Sequence, residues 1–189
     1  MAYLTESLPI ISGWFGHKLI NYLQSRNPNI PSISKKLSLP LRRSSLTSQT
    51  AYWRAIIGHK AMHCIYSGAE LEPNNFSLDH FIAWSFVRHD QLWNLIPVSP
   101  SANSAKSNRL PSEKYLGAFI SIHSSGLKTS RQILGKIEWS KKTEPFVSDL
   151  RITYSDLLNT RALQTAYHFV VPAMLSIAKQ TGFSAEWQY

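Results

Sequence analysis

Apolar side chains recur four residues apart between positions 47 and 62, Tyr52 with Ile56 and Trp53 with Ile57, which predicts a helix with one buried face. The period then changes. In "NNFSLDHFI" the pattern follows a turn-forming Pro-Asn-Asn and alternates through Phe76, Leu78, His80 and Ile82, the signature of a strand. "LWNLIPV" is a second short apolar run ending near Pro97, and the residues between the two runs read as a long loop. Ser99 is placed to cap a short helix, Pro100 suits its first position, and Pro111 stops it. The predicted order over this stretch is strand, loop, strand, short helix.

On either side the pattern is helical. "MAYLTESLPIISGWFGHKLINYL" is apolar but interrupted by Glu6, His17 and Lys18, so it reads as an amphipathic helix rather than a signal peptide or membrane span. "SEKYLGAFISIHS" and the stretch from Ser155 to Thr181 also read as helices. The latter has Leu158, Ala162, Ala166, Phe169 and Val170 on one side, with Pro172 expected to kink or divide it. Residues 31 to 50, rich in Ser, Pro and basic side chains without a sustained period, read as a linker or surface arm. The expected division is a basic helix and arm over 1–45, a core with its leading helix over 46–112, and helical support over 113–189.

Composition adds that the chain folds: 43% of residues are hydrophobic and 12% aromatic, too many for a disordered protein. The single cysteine, Cys64, excludes an internal disulfide framework or an all-cysteine zinc site within one chain. With no membrane span in the pattern, the chain is expected in the cytoplasm. The net charge of +9 is unevenly spread. Residues 1–62 hold eight Lys and Arg against Glu6 alone, whereas residues 63–112 hold three against four acids. A basic flank of that kind suits a polyanionic partner.

The near-neutral middle carries the candidate chemistry. Cleaving a phosphodiester needs an activated water, a cation to offset charge on phosphate, and fixed geometry. His80 can take a proton from water near neutral pH, and Asp79 and Asn103 offer hard oxygens to a divalent ion. Adjacent strand residues point to opposite faces, so the strand is expected to break at His80 if Asp79 and His80 serve one phosphate.

"LDH", Asn94 fourteen residues after His80 and Asn103 nine further on together resemble the HNH endonuclease motif of the ββα-metal fold, in the variant with Asn in the last position. The run "NSAKSNRLP" is similar to the HNH segment of type II CRISPR effector nucleases. The resemblance spans about residues 64 to 111. It implies an α+β chain whose hairpin-plus-helix core is embedded in mostly helical flanks. It further implies His80 as general base, Asp79 and Asn103 as metal ligands, Asn94 as the residue holding the loop behind His80, and Lys106 within reach of a phosphate. Cleavage would leave 5′-phosphate and 3′-hydroxyl ends on DNA.

Many such domains carry Cys-x-x-Cys zinc staples. Here "CIYS" has Ser67 where the partner of Cys64 would stand, so no structural zinc is expected and the flanking helices must take its place. An amide oxygen in the ligand set favours Mg²⁺, with Mn²⁺ as substitute, over Zn²⁺. Lys35, Lys36, Arg42 and Arg43 are expected to hold the DNA backbone, with Arg88 and Arg109 as further contacts. His89 and Asp90 read as loop surface. The setting common for the motif is bacterial or phage defence. The competing readings are a catalytically silent nucleic-acid-binding subunit and a nuclease active only with a targeting protein.

Overall fold

The computed structural model describes residues 2–37 and 44–189, side chains from residue 7 onward, and its chain separates into two compact units, Met1–Arg43 and Ser44–Tyr189. The first unit contains α1, Ala2–Arg26, and α2, Ile33–Leu37. The Asn27 side-chain amide donates to the Leu23 carbonyl at the end of α1. Leu8, Ile11, Phe15, Leu19 and Tyr22 recur at helical spacing along α1 and are exposed. Among the described residues, no helix is long and apolar enough to cross a membrane.

The second unit is α+β and mostly helical. It opens with α3, Thr47–His59, whose Tyr52, Trp53, Ile56 and Ile57 are buried as their spacing predicts. Two small antiparallel hairpins follow. β1, Met62–His63, pairs with β2, Glu70–Leu71. β3, Ser77–His80, pairs with β4, Leu95–Val98, in the register Ser77 with Val98 and His80 with Leu95. Between β3 and β4 the expected loop contains a short helix, α4, Trp84–Val87, and a 3-10 turn at Leu92–Asn94. α5, Pro100–Lys106, starts at Ser99, whose hydroxyl accepts from the Ala102 amide, and Pro100 takes the first turn. It ends well before Pro111, at Ser107, where φ is 51°.

α6, Leu116–Ile133, α7, Lys136–Leu150, and α8, Thr160–Gln180, complete the unit. α6 packs against α3, α7, α8 and β4. α7 was not foreseen: its charged residues and Pro145 mask a buried stripe of Trp139, Thr143, Phe146 and Leu150. α8 begins later than expected because the Asn159 side chain caps it by accepting from the Arg161 and Ala162 amides. Pro172 does not divide it. The fully packed stripe is Leu163, Tyr167, Val171 and Leu175, one position on from the expected face, which leaves Phe169 74% exposed.

Trp53 and Gly126 set the spacing between α3 and α6. A Cβ on Gly126 would stand 2.9 Å from the Trp53 ring, so only glycine permits this approach. The same indole donates to the Leu95 carbonyl at 3.1 Å, which ties α3 to the first residue of β4. From α8, the Tyr167 hydroxyl donates to the Trp93 carbonyl at 2.9 Å. The C-terminal residues also return to the hairpin region. Trp187 forms a bridge with Pro111, its amide donates to the Leu110 carbonyl and its carbonyl accepts from the Ser112 amide.

Candidate active site

β3 ends at His80, as the strand break requires. What stops it is the Asn94 side chain. Asn94 is fully buried; its Oδ1 accepts from the Ile82 amide at 2.8 Å and its Nδ2 donates to the Ile82 carbonyl at 2.9 Å. Its own carbonyl accepts from the Phe81 amide at 2.9 Å. One residue thus continues the β3–β4 pairing past the end of the strand and fixes the turn directly behind His80. Phe81 locks the turn from the other side by stacking on Phe119 of α6, ring centroids 4.0 Å apart.

Asp79 is buried, with 3% of its surface exposed. The Tyr66 hydroxyl donates to Oδ2 at 2.8 Å and the Lys106 ammonium approaches Oδ1 to 3.0 Å. Burial and then the adjacent Asp79 charge push the Tyr66 hydroxyl well above the ordinary tyrosine range, so it stays protonated as a donor. Lys106 has no exposed surface and its Nζ also donates to the His80 carbonyl at 2.7 Å. It therefore clamps the two neighbouring residues Asp79 and His80, and does not stand open toward a phosphate as the sequence suggested. α5 packs against β3, which is how Lys106 arrives there. Asn103 sits one turn earlier in α5 and is half-buried.

Two residues at this site were not foreseen. Tyr66 lies one residue before Ser67, edge-on to Tyr115 and Trp187 with ring centroids 5.0 Å away in each case. Nearby, Ser99 donates to the Cys64 sulfur at 3.7 Å and meets Ser67 at 3.2 Å, so a serine cluster ties the β1–β2 turn to the cap of α5. Asp90, read as loop surface, has its Oδ1 2.9 Å from His80 Nε2. The only sequence signal for it was an acid ten residues after the candidate base, within the same loop.

The expected backbone contacts fall in different places. Arg88 ends α4 in the left-handed region and lies over the Trp84 ring, 4.9 Å from its centroid. Arg109 donates to the carbonyls of Ala105 and Lys106 at the end of α5 and lies over Trp187. Lys35 and Lys36 belong to α2 of the first unit. Arg42 and Arg43 lie outside the described residues. A small cleft of about 140 Å³ beside Asp90 is lined by Ser48, Gln49, Lys141 and Lys142 among others, so basic side chains of α7 flank the loop.

Comparison with known proteins bears on this same segment. Residues 64–112, about a quarter of the chain, match the family model described as HNH endonuclease. No curated protein shows a significant match to the chain. The matched segment runs from Cys64 through the β3–β4 hairpin and α5 to Ser112, and so contains every residue that touches Asp79 or His80 in the contacts above. It is an HNH endonuclease domain, of a phosphodiester hydrolase family, which implies a nucleic-acid substrate and a divalent metal.

Proposed function

We propose that the HNH domain of residues 64–112 is a divalent-metal-dependent endonuclease that hydrolyses DNA. In this reading His80 is the general base, Asp79 and Asn103 are the metal ligands, and Asn94 maintains the turn that presents His80. The observation that carries it is that turn: β3 stops at His80, and Asn94 satisfies both backbone groups of Ile82. Asp79 and His80 are thereby held side by side at the end of a strand.

The donor set fits a hard cation. A carboxylate and an amide oxygen are oxygen ligands of the kind Mg²⁺ and Mn²⁺ accept, with water and substrate phosphate completing the shell. Asp79 already holds one positive charge in the Lys106 ammonium, 3.0 Å away. An ionised carboxylate offers about four acceptor sites, so the bonds to Tyr66 and Lys106 are compatible with a metal bond as well. When bound, the ion would offset negative charge developing on the phosphate and the leaving oxygen.

The chain's own residues supply the rest. His80 accepts a proton from the attacking water, whose oxygen bonds to phosphorus as the bond to the 3′ oxygen breaks. That oxygen takes up a proton, leaving 3′-hydroxyl and 5′-phosphate ends. Lys106 works through Asp79 and the His80 carbonyl, holding both in register. Lys141 and Lys142, with Lys35, Lys36, Arg42 and Arg43, supply charge for the DNA backbone, which carries no base information. The role we attach to it is that of an effector in bacterial or phage defence, the setting common for the motif.

Supercoiled plasmid cleavage tests the reading. With Mg²⁺ or Mn²⁺ the wild-type chain should nick the plasmid, and His80→Ala should reduce the rate by about 10²-fold or more, the usual contribution of a general base. Equal cleavage by both chains, or Zn²⁺ as the best activator, would overturn it.

A further inference from the structure

We infer that Asp90 is the positioning residue for His80, fixing the ring's orientation and which of its nitrogens carries the hydrogen; this rests on His80 being the general base proposed above. Asp90 Oδ1 lies 2.9 Å from His80 Nε2, and the two side chains are only 15% and 5% exposed. An ionised carboxylate only accepts, so at this distance Nε2 carries the hydrogen and Nδ1 holds the lone pair. The water's proton therefore goes to Nδ1. Nε2 keeps its hydrogen throughout, and the Asp90 carboxylate faces the positive charge that the ring gains. The bond also restrains ring rotation, so the ring's orientation is set before substrate arrives.

The loop is built to deliver Asp90 to this place. α4 ends at Arg88 with φ 57° and ψ 34°, a left-handed turn that a side chain other than glycine rarely adopts, and the chain reverses toward β3. From α3, Gln49 Nε2 donates to the Asp90 carbonyl at 3.0 Å and holds the loop's crest. The 3-10 turn beginning at Leu92 then carries the chain to Asn94, which fixes the other side of His80. The Asp90 backbone is thus anchored from a separate element, α3, while its carboxylate is directed inward. A residue that only solvated the loop would need neither.

The measurement compares wild type, His80→Ala, Asp90→Ala and Asp90→Asn in steady-state cleavage of a short duplex with Mg²⁺, together with ¹⁵N spectra of the imidazole rings under mildly alkaline conditions. His80 is assigned by its loss in His80→Gln. Asp90→Ala should lower kcat by about 10-fold or more, as loss of the carboxylate that holds a general-base histidine in one tautomer does, with KM changed by less than about threefold. The His80 ring signal should shift from a single form with the hydrogen on Nε2 to a mixture of the two tautomers. Asp90→Asn, which keeps an acceptor but not the charge, should restore the single form and part of kcat. Asp90→Leu, similar in size, carries the same two readouts if the alanine variant does not fold. Wild-type kcat and an unchanged ring signal in a folded Asp90 variant would overturn the inference. If His80→Ala cleaves as well as wild type, it is the general-base reading that fails instead.

Discussion

Removing the Asn94 side chain would leave both the amide and the carbonyl of Ile82 unpaired inside the protein. Each orphaned buried group costs roughly 1–3 kcal/mol. Asn94→Ala is therefore expected to lower the unfolding free energy by about 2–6 kcal/mol in urea titrations and to reduce plasmid cleavage along with it, because the turn behind His80 loosens. A variant as stable as wild type would show that the turn holds without it. At this scale Asp79, His80, Asn94 and Asn103 were singled out by the resemblance of their spacing to the HNH motif. Their partners were not. Tyr66 looks like any core aromatic, Asp90 like any loop acid, and Lys106 like a solvated charge until β3 and α5 bring Nζ to Asp79. Spacing along the chain identifies residues that share an element; it carries little about contacts between elements.

At the scale of elements, the approach of α3 and α6 bears directly on the hairpin, because Trp53 touches Gly126 on one side and Leu95 of β4 on the other. Gly126→Ala forces a methyl to within 2.9 Å of that indole. Overpacking of this kind costs about 1–3 kcal/mol. The variant is expected to unfold at lower urea by that amount, and Trp53→Leu in the same background should recover part of the loss; additive effects of the two changes would contradict the contact. The α3 stripe and the Ser99 cap were readable because local chemistry determines them. α7 and the phase of α8 were not, since tertiary packing chose the buried faces. The side chains packed on both sides of Pro172, from Leu163 to Leu175, outweigh the roughly 3 kcal/mol that a proline costs a helix interior.

For the second unit as a whole, His123 links stability to pH. It is fully enclosed by Trp53, Phe119, Phe146 and Tyr167, and burial lowers its pKa to about 3, with no hydrogen-bond partner for Nε2 among the described residues. Unfolded, the same ring titrates near 6.5. Between those values the unfolded chain binds the extra proton, so this contribution is complete above about pH 6.5 and is lost as pH falls toward 3. From pH 7 to pH 5 the loss amounts to about 2 kcal/mol. Urea midpoints for wild type should fall over that range, and those of His123→Phe should fall by visibly less. Parallel curves would assign the pH dependence to other groups.

The bridge between Pro111 and Trp187 means that the chain leaves the nuclease core after Leu110 and comes back to the same spot. Topologically, α6, α7 and α8 form a closed excursion whose two ends meet. The loops joining these helices can lengthen without moving the points where the segment departs and returns, since closing a longer flexible loop adds only about 0.6 kcal/mol per doubling. The helices of the excursion carry the hairpin's support, through Phe119 stacked on Phe81 and the Tyr167 hydroxyl on the Trp93 carbonyl, and its closed ends hold that packing against the core.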